Sequence, residues 1–119
     1  MPRTGSFKLA MGVDLLPNHL EVDVTKNSRA IERLKAEMMR AHWLFHNGAA
    51  TASEEQILEG LAKTVGLSYL LVRRLGFDFS QLDRVLYKQI MDWQLEDELV
   101  IEQEWGDCGQ LMDYLAPEE

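Results

Sequence analysis

Residues 66–83, GLSYLLVRRLGFDFSQLD, decide the fold. From Val65 to Val72 the chain is apolar on nearly all sides, apart from Ser68 and the Tyr69 hydroxyl, which reads as a helix covered by neighbours. Arg73 and Arg74 follow where a helix dipole favours cations, or pair with acids of the next helix. Gly76 then stands at the end of the helix. FDFS makes a turn, and Asp78 or Ser80 can cap the helix that comes next. Helix, stop, turn and helix in succession predict an α-hairpin.

The neighbouring segments extend the pattern. Ser53 with Gln56 fits a capping box, and Glu54 and Glu55 place negative charge in the first turn of the same helix, which should run to Leu75. Upstream, Ile31, Leu34, Met38, Ala41 and Phe45 step by three and four, with Thr25, Asn27 or Ser28 as cap and Asn47-Gly48 as the stop. Downstream, Leu82, Val85, Leu86, Ile90 and Trp93 form the face of a third helix that should project to Gly106. A last short helix, Cys108 to Leu115, would dock Leu111, Met112 and Leu115. Residues 1–25 lack sustained periodicity and end in EVDV, which alternates like a short strand; they read as a partly ordered extension to a helical domain at 26–119. The expected fold is all-α, an antiparallel helical bundle with short connections. Some neighbours of its apolar second helix would come from another subunit.

Composition narrows the function classes. The net charge is −8, yet residues 89–119 hold ten Asp or Glu and no Lys or Arg, so the remainder is near +2. An acidic end repels phosphate backbones and argues against nucleic-acid and anionic-membrane binding. It suits a solvated face, an oxygen-rich surface for Mg²⁺ or Mn²⁺, or a docking face for a basic partner. The absence of a long apolar run and of a signal-peptide core points to a soluble, cytoplasmic chain. Cys108 is the only cysteine, so no intrachain disulfide or CxxC pair can form.

No phosphate-binding glycine loop and no nucleophile elbow occurs. His42 and His46 stand four apart, a spacing at which two imidazoles can share a metal, but Trp43, Leu44 and Phe45 between them suggest a packing segment. Phosphate chemistry on such a bundle would require inward carboxylates that hold a hard cation, which binds phosphates and acidifies an attacking water. Glu32 and Glu37, Glu55 and Glu59, and Asp83 are the candidates on successive helices.

The run ILEGLAKTVGLSYLLVRRLGFDFSQLDRVLYKQI resembles the second helix, turn and third helix of the MazG superfamily of all-α nucleoside triphosphate pyrophosphohydrolases. With IERLKAEMM before it and EWGDCGQLMDYL after it, the resemblance is closer still to the short MazG-like proteins of Gram-positive bacteria. The resemblance covers about residues 27–115. It implies a protomer that assembles into dimers or tetramers and, in active members, cleaves an NTP or dNTP to the monophosphate and pyrophosphate with Mg²⁺.

In that family an E-E-x-x-E set and an E-x-x-D set hold the metal. Matched at Asn47-Gly48 and at Gly76, the first set falls on Ala36, Glu37 and Arg40 and the second on Gly60 and Lys63, with Glu59 one residue away. Only Glu37 keeps the expected type, and an ammonium at a ligand position repels the cation. The resemblance therefore implies a pyrophosphohydrolase fold with weakened or absent conventional catalysis, serving as a scaffold or nucleotide sensor. The alternative is a divergent enzyme in which Glu37, Glu55 and Glu59 hold Mg²⁺ or Mn²⁺ and Arg40 or Lys63 contacts phosphate.

Overall fold

The computed structural model describes residues 18–96 and 100–117; the readings of residues 1–17 lie outside it. All regular structure among the described residues is helical, in the order α1 (Asn18–Thr51), α2 (Glu54–Arg74), α3 (Phe79–Glu96), α4 (Ile101–Trp105) and α5 (Asp107–Leu115). The chain divides into two compact units, Met1–Phe79 and Ser80–Glu119.

In the first unit α1 and α2 form a tight antiparallel hairpin. α1 begins at Asn18, so EVDV is helix and not strand, and the helix runs straight through Thr25, Asn27 and Ser28. Helical propagation adds one hydrogen bond per residue once started, which outweighs a four-residue alternation of apolar side chains. Asn27 instead serves the tertiary structure: its Nδ2 donates to the Arg74 carbonyl at 2.9 Å, and Arg74 Nη1 donates to its Oδ1 at 3.0 Å. This pair ties the open end of the hairpin.

Asn47-Gly48 does not stop α1, which continues to Thr51; the left-handed residue is Ala52, at φ 57°. Gly48 is needed for its lack of side chain, because a Cβ there would stand 2.7 Å from the Ile57 nitrogen of α2. Across the turn, Ser53 N–H donates to the Gly48 carbonyl at 2.8 Å, and Ser53 Oγ accepts the Gln56 N–H at 3.3 Å. Ser53 is thus the N-cap, but Gln56 does not reach back to complete a capping box. Its Oε1 accepts from Asn47 Nδ2 at 2.8 Å and links the two helices.

The end of α2 is a Schellman motif, as its glycine suggested. Phe77 N–H donates to Val72 O at 2.9 Å, Gly76 N–H donates to Arg73 O at 3.1 Å, and Gly76 takes φ 96°. Arg73 leans over the turn, 3.5 Å from Asp78 and 5.8 Å from the centre of the Phe79 ring, which also meets Tyr69 edge-on at 6.1 Å.

In the second unit, α3 ends at Glu96 and does not run on to Gly106; Val100, at φ 61°, precedes a fresh start at Ile101. Gly106, also left-handed at φ 69°, separates α4 from α5. The Glu102 carboxylate accepts the Gly109 N–H at 3.1 Å and the Gln94 amide at 3.3 Å, joining α3, α4 and the first turn of α5. A carboxylate there is favoured by the exposed amides of a helix start.

Among the described residues the buried apolar side chains are Ala41, Ile90 and Cys108. Many large ones stay exposed: Leu58, Leu61 and Val65 form a stripe at three- and four-residue spacing on α2, with Leu70 nearby in sequence. Among the described residues of the first unit, nothing covers this stripe of α2. Leu111 and Leu115 of α5 are exposed as well, and Met112 is half-buried.

Candidate functional site

The α1–α2 packing sets the site. Gly60, buried, lies against α1 so closely that a Cβ would stand 2.6 Å from the Phe45 nitrogen and 2.8 Å from the Ala41 carbonyl. With Ala41 only 1% exposed opposite it, the two backbones meet through small residues. Beside this contact the longer side chains splay apart and leave a cleft of about 260 Å³.

α1 contributes Glu37, Arg40, Ala41, Trp43 and Leu44 to the cleft, residues that helical spacing places on one face, and α2 contributes Glu59 and Lys63, four apart. Each helix carries its own ion pair into it. Arg40 meets one Glu37 oxygen with Nη2 at 2.9 Å and Nε at 3.0 Å, and Lys63 Nζ lies 2.8 Å from a Glu59 oxygen. The pairs act on each other. Lys63 is held above the ordinary lysine range by the hydrogen bond it donates to Glu59 and by that carboxylate's charge, with a further contribution from Glu37 on the facing helix that partial desolvation opposes. Lys63 therefore stays an ammonium at neutral pH.

Of the residues singled out from the sequence, Glu37, Arg40, Glu59 and Lys63 come together in this cleft. Glu55 does not line it; it sits exposed in the first turn of α2. Glu59 enters where the matching by Gly76 placed Gly60, because Gly60 is turned onto the α1 backbone with no room for any side chain. Ala36 is half-buried and brings no polar atom to the ligand position it was matched to. Glu32 pairs with Lys35 at 3.1 Å on the exposed surface, and His42 and His46 are exposed on α1.

The residue that sequence reasoning misplaced is Trp43. Read as packing, it is 63% exposed and forms one wall of the cleft. Its position three residues after Arg40 was the available signal. An exposed indole beside a guanidinium and an ammonium offers a flat π-face next to donors suited to phosphate oxygens.

The donor set does not fit a protein-held Mg²⁺. Such an ion takes six oxygens in near-octahedral order. The cleft offers two carboxylates, each already bonded to a cation of its own helix, and among the described residues no group of three or more His, Cys, Asp or Glu could hold a metal ion. Chemically the cleft is a balanced tetrad of two acids and two bases with an aromatic wall.

Compared with known proteins, residues 24–108 match the family model described as the MazG-like family. No curated protein and no solved structure matches the chain. No described helix is long and apolar enough to cross a membrane.

Proposed function

Since the chain belongs to the MazG-like family, we propose that it keeps the nucleotide pyrophosphohydrolase-like fold while conventional Mg²⁺-dependent cleavage of NTPs or dNTPs is weakened or lost. The observation that carries this reading is the occupancy of the cleft by Arg40 and Lys63, at positions where matching the sequence at Asn47-Gly48 and Gly76 calls for carboxylates. A cation cannot donate a lone pair to a metal, and it raises the local potential against a second positive charge. What remains suits binding: Arg40 and Lys63 retain N–H donors beyond those given to Glu37 and Glu59, and Trp43 offers a surface for a base. The protein then works as a nucleotide sensor or scaffold.

Assembly into a homo-oligomer belongs to the same proposal. The described chain buries few of its large apolar side chains and exposes Leu58, Leu61 and Val65 in a stripe, a pattern that marks interaction surfaces. A second copy, as a dimer or tetramer, would cover it.

A second reading is supported by the direction of Glu59. Glu59 enters the cleft with Glu37, so a divergent enzyme could use both carboxylates, with Glu55 recruited from the start of α2. Pyrophosphate release from a panel of NTPs and dNTPs with Mg²⁺ or Mn²⁺ separates the two. The expected result is no turnover by wild type above Glu37→Gln and Glu59→Gln. Metal-dependent turnover lost in either variant would overturn the proposal and make the carboxylate enzyme the correct account.

A further inference from the structure

We propose that Arg40 and Lys63 are built-in counterions: paired with Glu37 and Glu59, they keep divalent cations out of the cleft, and neutralising the two bases restores a cation site. The inference rests on reading this cleft as the counterpart of the family's metal-bearing site, and it adds a cause to the mismatch.

Glu37 and Glu59 stand on facing helices and line one cleft. Two like charges so placed would otherwise repel one another across α1 and α2. Each is instead neutralised from within its own helix, Glu37 by two donors of Arg40 to a single oxygen and Glu59 by Lys63 at 2.8 Å. Both bases are tethered at three- or four-residue helical spacing, so they return to their acids without a bimolecular step, and a dissolved ion must displace them. The displaced bases would remain in the cleft and repel the incoming charge. Lys63, held above the ordinary lysine range by both acids, does not vacate the site by losing its proton near neutral pH.

No histidine or cysteine lines the cleft. All four side chains are close to half exposed or more, which makes their replacement compatible with the fold.

The test is a Mn²⁺ titration without nucleotide, reading the free ion by electron paramagnetic resonance. It compares wild type, Glu37→Gln/Glu59→Gln, Arg40→Gln/Lys63→Gln and the fourfold variant. Because the last part of the chain is rich in acids, the first two set the background. They are expected to coincide. Arg40→Gln/Lys63→Gln should take up additional Mn²⁺ at about tenfold lower free ion than the background sites, from removal of two nearby positive charges, and the fourfold variant should lose that gain. Circular dichroism checks that each variant is helical; if the double variant is not, Lys63→Gln alone carries the comparison. Wild type binding more Mn²⁺ than Glu37→Gln/Glu59→Gln would overturn the proposal, because the carboxylates would already be open to metal. A folded Arg40→Gln/Lys63→Gln that matches wild type would overturn it too. Neither result depends on turnover, so failure here and failure of the pyrophosphate assay are separable.

Discussion

Gly60 stands against Phe45 at backbone contact: a Cβ on Gly60 would lie 2.6 Å from the Phe45 nitrogen. Alanine is the better helix former by about 1 kcal/mol, yet here it should lose, since helix backbone on both sides cannot give way. Gly60→Ala is expected to destabilise the protein by about 1–3 kcal/mol, the usual range for overpacking. Gly66, with nothing within 4 Å of its Cβ position, is the control. Gly66→Ala should stabilise by about 0.5–1 kcal/mol. Urea unfolding of the two variants checks both signs, and a loss from Gly66→Ala equal to that from Gly60→Ala would show that packing is not the cause.

Ala52 holds φ at 57° between α1 and α2, a conformation that L-residues with a Cβ pay for. Replacing it by glycine removes the strain of about 1 kcal/mol or slightly more, partly offset by glycine's larger entropy when unfolded. Ala52→Gly should leave stability unchanged or raise it by a few tenths of a kcal/mol. Ala52→Val, β-branched at the same angle, should lower the melting temperature.

Removal of the Ser53 hydroxyl leaves the Gln56 amide without its cap at the start of α2. Ser53→Ala should cost about 1 kcal/mol, and Ser53→Asp should restore most of it, because aspartate caps as well and favours the helix start. Thermal unfolding of the three proteins at one pH decides this. Equal losses in both variants would mean that the Ser53 backbone bond to Gly48, and not the hydroxyl, fixes the turn.

Lys63 carries a pH dependence of definite sign. Its raised affinity for the proton in the folded state means that its pairing is fully present below the ordinary lysine range and fades as pH climbs through the raised value. The Lys63 side-chain resonance should therefore titrate later than that of an isolated lysine, and Glu59→Gln should shift it back, with Glu37→Gln giving a smaller return. A titration unaffected by Glu59→Gln would remove the pair from the account.

In the second unit, Glu102 gathers Gln94 and the Gly109 amide. Glu102→Ala should loosen α4 and α5 while leaving the α1–α2 hairpin intact, seen as faster amide exchange confined to residues near 101–115. Uniform exchange throughout the chain would contradict this.

The helices and their order were legible because periodicity and helix stops act locally. α2 shows this best: Ser53, Arg73, Arg74 and Gly76 each took a role close to the expected one. The glycines show where local reading ends. Gly48 and Gly60 have ordinary helical signs of φ and are required by the neighbouring helix, information that no single-helix pattern contains. The same limit explains EVDV, which its own alternation marks as strand but which α1 incorporates. The cleft was half legible. Residue types identified Glu37 and Glu59, and the family resemblance added Arg40 and Lys63, but whether Glu59 or Gly60 faces inward depends on a rotation of α2 fixed only by contact with α1.

The reciprocal bonds of Asn27 with Arg74, set 47 residues apart, contrast with the Asn47–Gln56 bond, set nine apart. Closing a short loop loses less chain entropy than closing a long one. Assembly of the hairpin should therefore start at its bend and advance like a zip, with the Asn27–Arg74 clasp fastened last. Under load the order reverses: a tether pulling at residues 27 and 74 would peel the helices apart pair by pair, and the clasp would break before the cleft is disturbed.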